Sequence, residues 1–124
     1  MIFPTFAVIE YTLKLIKMMD FLKKIFKPAL EVDYAVLLKE GGIILDVRTA
    51  GEYAGGHIKG STNISVNAIP HSLKKLRDKS QPIITCCASG MRSSSARKML
   101  KAAGYTNVYN GGSWMELRGK LTVV

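Results

Sequence analysis

Only two cysteines occur in the 124 residues, and they are neighbours, Cys86 and Cys87. Adjacent cysteines close no useful loop, so a disulfide framework is excluded. Histidine is equally scarce: His57 and His71 are the two further soft ligands. A zinc site asks for about four ligands at suitable spacing, so neither a metal site nor a cofactor is expected. No run of roughly 20 uninterrupted apolar residues is present, which excludes a spanning helix. Acidic residues are few, nine against 18 Lys and Arg, for a net charge of +9. The low hydrophobicity that marks disorder is missing, since 48% of residues are hydrophobic, enough for the core of one domain.

The basic balance favours anionic partners: small oxyanions, nucleic acid or a membrane surface. The basic residues are scattered, with short clusters at Lys23-Lys24 and around Lys74, Lys75 and Arg77. No nucleic-acid motif accompanies them, and nucleic-acid binding is not expected. Residues 1–27 are apolar but interrupted by Glu10, Lys14, Lys17, Asp20, Lys23 and Lys24. An early positive charge and a small-residue cleavage site, the marks of a secretory signal, are lacking. Over 13–26 the apolar residues recur at helical spacing with lysines on the other face. This helix either packs on a domain or lies peripherally on a membrane. Met18 and Met19 also allow a native start later than Met1. Pro28 is expected to end the segment, giving an N-terminal extension, 1–28, and a domain, 29–124.

Within that domain, strands and helices alternate. Asp33 is a candidate N-cap for a helix over 34–39, stopped by Gly41-Gly42. Ile43 to Val47 and Pro82 to Cys86 are short, continuously apolar strands, buried on both faces. Residues 62–66 and 107–109 give two further strands. Helical segments fall at 49–54, 70–78, 93–103 and after Gly112. The pattern predicts an α/β fold, a three-layer α/β/α arrangement around a small, mainly parallel sheet.

The chemistry concentrates in Cys87-Ala88-Ser89-Gly90-Met91-Arg92, between the strand ending at Cys86 and a helix from about Ser93. Ligands bind beyond the carboxyl ends of strands in such sheets. A helix N-terminus lowers a thiol's pKa, and a loop folded back over the sulfur aims backbone N–H groups at one point. Gly90 admits a turn closed to residues with a Cβ. Arg92 is expected to fork onto an oxyanion, and Ser93, with Ser94, to cap the helix. The result is a cup for a thiolate, a persulfide anion or a tetrahedral oxyanion. The plain alternative, two small buried thiols, fits Cys86, which completes the strand.

Three segments resemble the rhodanese family. ILDVRTAGEYAGGHIKGSTNI (44–64) is similar to its D-V-R-x-x-x-E-[FY]-x-x-G-H-[IL]-x-G-[AS]-x-N-[IL] pattern. Cys87 to Ser93 resembles its C-x-x-G-x-R-S loop, and NVYNGGSW (107–114) its late Gly-Gly and Trp segment, with the Trp earlier than usual. The resemblance implies a rhodanese-like fold and sulfurtransferase activity. Cys87 would take the outer sulfur of thiosulfate as a persulfide and pass it to cyanide or a thiol, with the loop Ala88, Ser89, Gly90, Met91, Arg92 and Ser93 binding the donor. Asp46, Arg48 and Glu52 are supporting residues. Asp46, at the end of a buried strand, should be paired. Arg48 and Glu52 stand in the poorer order for a helical pair, so a tertiary pairing is equally open. His57 is read as a structural hydrogen bond and Trp114 as core.

Two other functions compete. Counted from Cys86, the chain also reads C-x5-R-S, the spacing of tyrosine phosphatases, although no Asp offers itself as the general acid such chemistry wants. A persulfide carrier or redox relay would use Cys86 to resolve Cys87, with proteins as sulfur donor and acceptor. Free thiols fit the cytoplasm; a periplasmic persulfide enzyme is also compatible.

Overall fold

A computed structural model describes the backbone of residues 6–30 and 32–122 and the side chains of 6–22 and 32–122. The chain divides into two units, Met1–Asp33 and Tyr34–Val124. In the first, α1 spans Phe6–Leu30. It continues through Pro28, which lies in its last turn, and ends two residues later; the bias of a pre-proline residue against helix is a preference.

The second unit is built on four strands, β1 (Ile43–Asp46), β2 (Thr62–Asn63), β3 (Ile83–Cys87) and β4 (Val108–Ser113). They form a parallel sheet in the order β2-β1-β3-β4, which makes the fold α/β. The helices are α2 (Tyr34–Lys39), α3 (Ala50–Ala54), α4 (Met91–Ala102) and α5 (Trp114–Thr122). Alternation along the strands builds two cores. Leu45, Val47, Ile83 and Cys87 face α4 through Ala96 and Leu100. Ile44, Ile84 and Cys86 face the other way, onto Leu117 of α5 with Leu37 and Leu38 of α2. The continuously apolar runs β1 and β3 are therefore buried on both faces, as helix-covered parallel strands must be.

Three sequence readings need correction. The helix expected over 70–78 is replaced by two 3₁₀ turns, Val66–His71 and Leu73–Lys75; Pro70 cannot donate to a helical ladder, and Tyr105 Oη donates instead to the Leu76 carbonyl. The strand expected over 62–66 is only two residues long. The last strand runs through Gly111-Gly112, which sit in a bulge between the pairs Thr85–Asn110 and Cys87–Ser113. A Cβ at Gly111 would lie 2.8 Å from Ile84 Cγ2 and 2.9 Å from the Thr85 carbonyl, so this close approach requires glycine.

Asp46 and Arg48 are both buried. Arg48 lies in the bend two residues past the end of β1, and its side chain folds back to Asp46, with Nη2 2.7 Å and Nε 2.9 and 3.1 Å from the carboxylate oxygens. Arg48 also donates to the carbonyls of Gly56 and Glu52. Asp46→Ala would leave this guanidinium buried and uncompensated. A loss of about 3–5 kcal/mol is expected, read as a lower midpoint in urea unfolding.

Candidate functional site

The site lies where β3 ends and α4 begins. Gly90 is the N-cap of α4 at φ +101°, a conformation that costs a residue with a Cβ and costs glycine nothing. This turn folds the loop back over Cys87. The Gly90 amide donates to Cys87 Sγ at 2.9 Å and the Ser93 amide at 3.4 Å, with a further backbone bond from Ser89. The side chains of Ala88, Ser89 and Met91 are exposed, Met91 to 78%, while Cys87 itself is fully covered.

Ionisation of Cys87 is a contest between two effects. Burial pushes the thiol up; the Ser93 hydroxyl and the amides of Ser93, Gly90 and Ser89 pull it down and prevail, holding it below the usual thiol value. Cys86 has no such support. Burial, together with the Asp46 carboxylate beside it, pushes that thiol up to about 12, against the opposing pull of Arg48. Successive strand residues point to opposite faces, so Cys86 faces the α5 core and Cys87 the α4 core. A thiol protonated at neutral pH and turned away from the loop suits neither the phosphatase nucleophile nor a resolving partner.

Ser93 is not the helix cap; it stands in the first turn, two residues after Met91. Its hydroxyl lies 2.7 Å from Asn110 Oδ1, 3.0 Å from the Gly90 carbonyl and 3.5 Å from Cys87 Sγ. With one proton to give, it accepts from the thiol while bonded to Asn110 or Gly90, and it must turn to the sulfur once a thiolate forms. Asn110, unremarked in the sequence, also accepts from the Gly112 amide and donates to the Gly90 carbonyl. It ties the β4 bulge to the cysteine loop. A side-chain amide directly before Gly-Gly was the available signal.

Arg92 and Glu52 meet across 40 residues. Nη1 is 2.7 Å from Oε1 and Nη2 2.9 Å from Oε2. The fork expected for an oxyanion is thus filled by a carboxylate. Glu52 is placed by its own helix: Thr49 and Glu52 form a capping box at the start of α3. The Arg92 bond, followed by that of the Thr49 amide, holds Glu52 at about 2. The partner of Arg48 is Asp46 and not the Glu52 carboxylate. His57 Nδ1 donates to the Tyr53 carbonyl at 2.8 Å, and its ring stacks on Tyr53, the structural role expected. Trp114 is half-buried and packs against the core of Ile44, Ile84 and Leu117, while Arg48 and Arg118 lie over its ring at 4.6 and 4.9 Å, cation–π contacts.

The site is thus a thiol at the carboxyl end of a parallel α/β sheet, with backbone amides of the following loop and helix directed at its sulfur. Residues 32–117 match the family model described as rhodanese-like domain, and the chain belongs to that family. A thiosulfate sulfurtransferase, GlpE, of Pseudomonas entomophila (strain L48) is 32% identical over 81 residues, covering 65% of this chain and 73% of its own length. GlpE of Pseudoalteromonas translucida (strain TAC 125) is 37% identical over 75 residues, 60% and 70% respectively. Among solved structures, an E. coli rhodanese with anions superposes with a TM-score of 0.58 at 28% identity, over 60% of this chain and 89% of that one. The human single-domain sulfurtransferase TSTD1 does so at 0.57 and 26%, over 67% and 87%. Relatives of this kind make it a member of a sulfurtransferase family.

The two thiols should differ in alkylation. Iodoacetamide at neutral pH should label Cys87, with a pH midpoint below that of free cysteine, and leave Cys86 unmodified until the fold is opened. Asn110→Ala removes the competing acceptor for the Ser93 proton and should move that midpoint downward. Peptide mapping by mass spectrometry checks both.

Proposed function

We propose that the protein is a thiosulfate sulfurtransferase that carries sulfur as a persulfide on Cys87. The observation that carries this reading is the convergence of the Ser89, Gly90 and Ser93 amides and the Ser93 hydroxyl on one sulfur. The Cys87 thiolate attacks the outer sulfur of thiosulfate. A Cys87–sulfur bond forms, the sulfur–sulfur bond of thiosulfate breaks, and its electron pair leaves with sulfite. The persulfide's terminal negative charge replaces the thiolate's above the same amides, whose dipoles favour it at no reorganisation cost. A thiophile, cyanide or a thiolate, then attacks the outer sulfur, and the bonding pair returns to Cys87. Sulfur changes hands without an outside oxidant or reductant.

Incubation with thiosulfate should add one sulfur atom to the intact mass of the wild type and of Cys86→Ser, and none to Cys87→Ser. Addition to Cys87→Ser, or none to wild type, would overturn the reading.

Arg92 is the cation that a sulfonate would meet, and Glu52 competes for it. Glu52→Gln keeps a residue fit for the capping box while removing the competing charge. It should lower KM for thiosulfate several-fold with little change in kcat, whereas Arg92→Gln should raise KM, both read in steady-state cyanide assays. Because the Glu52 carboxylate titrates near 2, its pairing contributes above the usual carboxylate value and is lost only as pH falls through about 2. The KM difference should therefore persist across mildly acidic pH.

A further inference from the structure

Helix α1 carries large apolar side chains with nothing in its own unit to cover them. It is the one described element of residues 1–33, and every described side chain from Phe6 to Leu22 is exposed. Val8, Tyr11, Leu15, Met18, Met19 and Leu22, between 37% and 66% exposed, recur at spacings of three and four and so share one face. At 100° per residue no charged residue of the helix falls within that face. Of the described side chains, Lys14, Lys17, Glu10 and Asp20 occupy the remaining arc. Phe6, Ile9, Leu13 and Ile16 are exposed on the opposite side, among the charged residues. An uncovered apolar stretch of this size marks a contact site.

The charge says what covers it. The sequence of this helix holds five lysines against two acids, and the whole chain carries +9. A protein partner would need its own apolar face rimmed with acid; an anionic bilayer supplies both at once. Lysines at the edge of an apolar face bury their stems and keep their ammonium groups among the headgroups. No described helix is long and apolar enough to cross a membrane, so this one would lie along the surface. We propose that α1 docks the protein on membranes rich in anionic lipid, seated on the face that runs from Val8 to Leu22.

Flotation of the full chain with vesicles tests this. Phosphatidylcholine mixed with phosphatidylglycerol should bind on the order of ten-fold more protein than phosphatidylcholine alone, and added salt should weaken binding. Leu15→Glu combined with Leu22→Glu, substitutions that keep helix propensity, should abolish flotation. Thiosulfate loading of Cys87 should be unchanged, since neither residue belongs to the cysteine site. Three results would overturn the proposal: no flotation with mixed vesicles, equal flotation of the double variant, or self-association in sedimentation without lipid that the double variant abolishes. The last would assign the face to a second copy of the chain.

Discussion

A buried charge pair at the end of β1 organises the site from behind. Asp46 and Arg48 satisfy one another almost completely, and the remaining Arg48 donors reach the carbonyls of Glu52 and Gly56. Asn63 closes the arrangement from β2, its side-chain amide bonding the Asp46 and Arg48 carbonyls. Removing two charges from water is expensive, and only dense compensation makes it tolerable. What that expense secures here is position: α3 is held against the strand end, and α3 presents Glu52 to Arg92. The cysteine loop is thereby steered by a residue that never touches the sulfur.

The loop solves a different electrostatic problem. A covered sulfur prefers to stay protonated, yet catalysis by sulfur needs an anion. Neutral donors settle the conflict. Amides from the turn and the first turn of α4 bring partial positive charge without a salt bridge, so the anion is stabilised and not quenched by a strong counter-ion. Arg92 acts at longer range while its fork is held by Glu52. The hydroxyl of Ser93 adds an adjustable element, since it serves a thiol as acceptor and a thiolate as donor.

Much of this was readable from residue order. Unbroken apolar runs at 43–47 and 82–86 announced double-sided strands, and Cys87, Gly90, Arg92 and Ser93 announced the loop, because local spacing determines both. Pairings between distant segments were not. Glu52 and Arg92 are 40 residues apart, and Asn110 meets Ser93 across 17; no periodicity encodes such meetings. For Arg48 and Glu52 the poor helical order left a tertiary pairing open, and the partners themselves, Asp46 and Arg92, come from the end of β1 and from α4. The 3₁₀ turns at 66–75 escaped because Leu73 and Leu76 also suit an α-helix, and tertiary packing against Tyr105 decided between them.

The alternation of β3 has one more consequence. Two thiols adjacent in the chain lie on opposite faces of the sheet, Cys86 against the α5 core and Cys87 under the amides of its loop. The two side chains point to opposite faces of β3, so the thiols do not face one another. The pleat thus gives two chemically alike neighbours different surroundings and different ionisation.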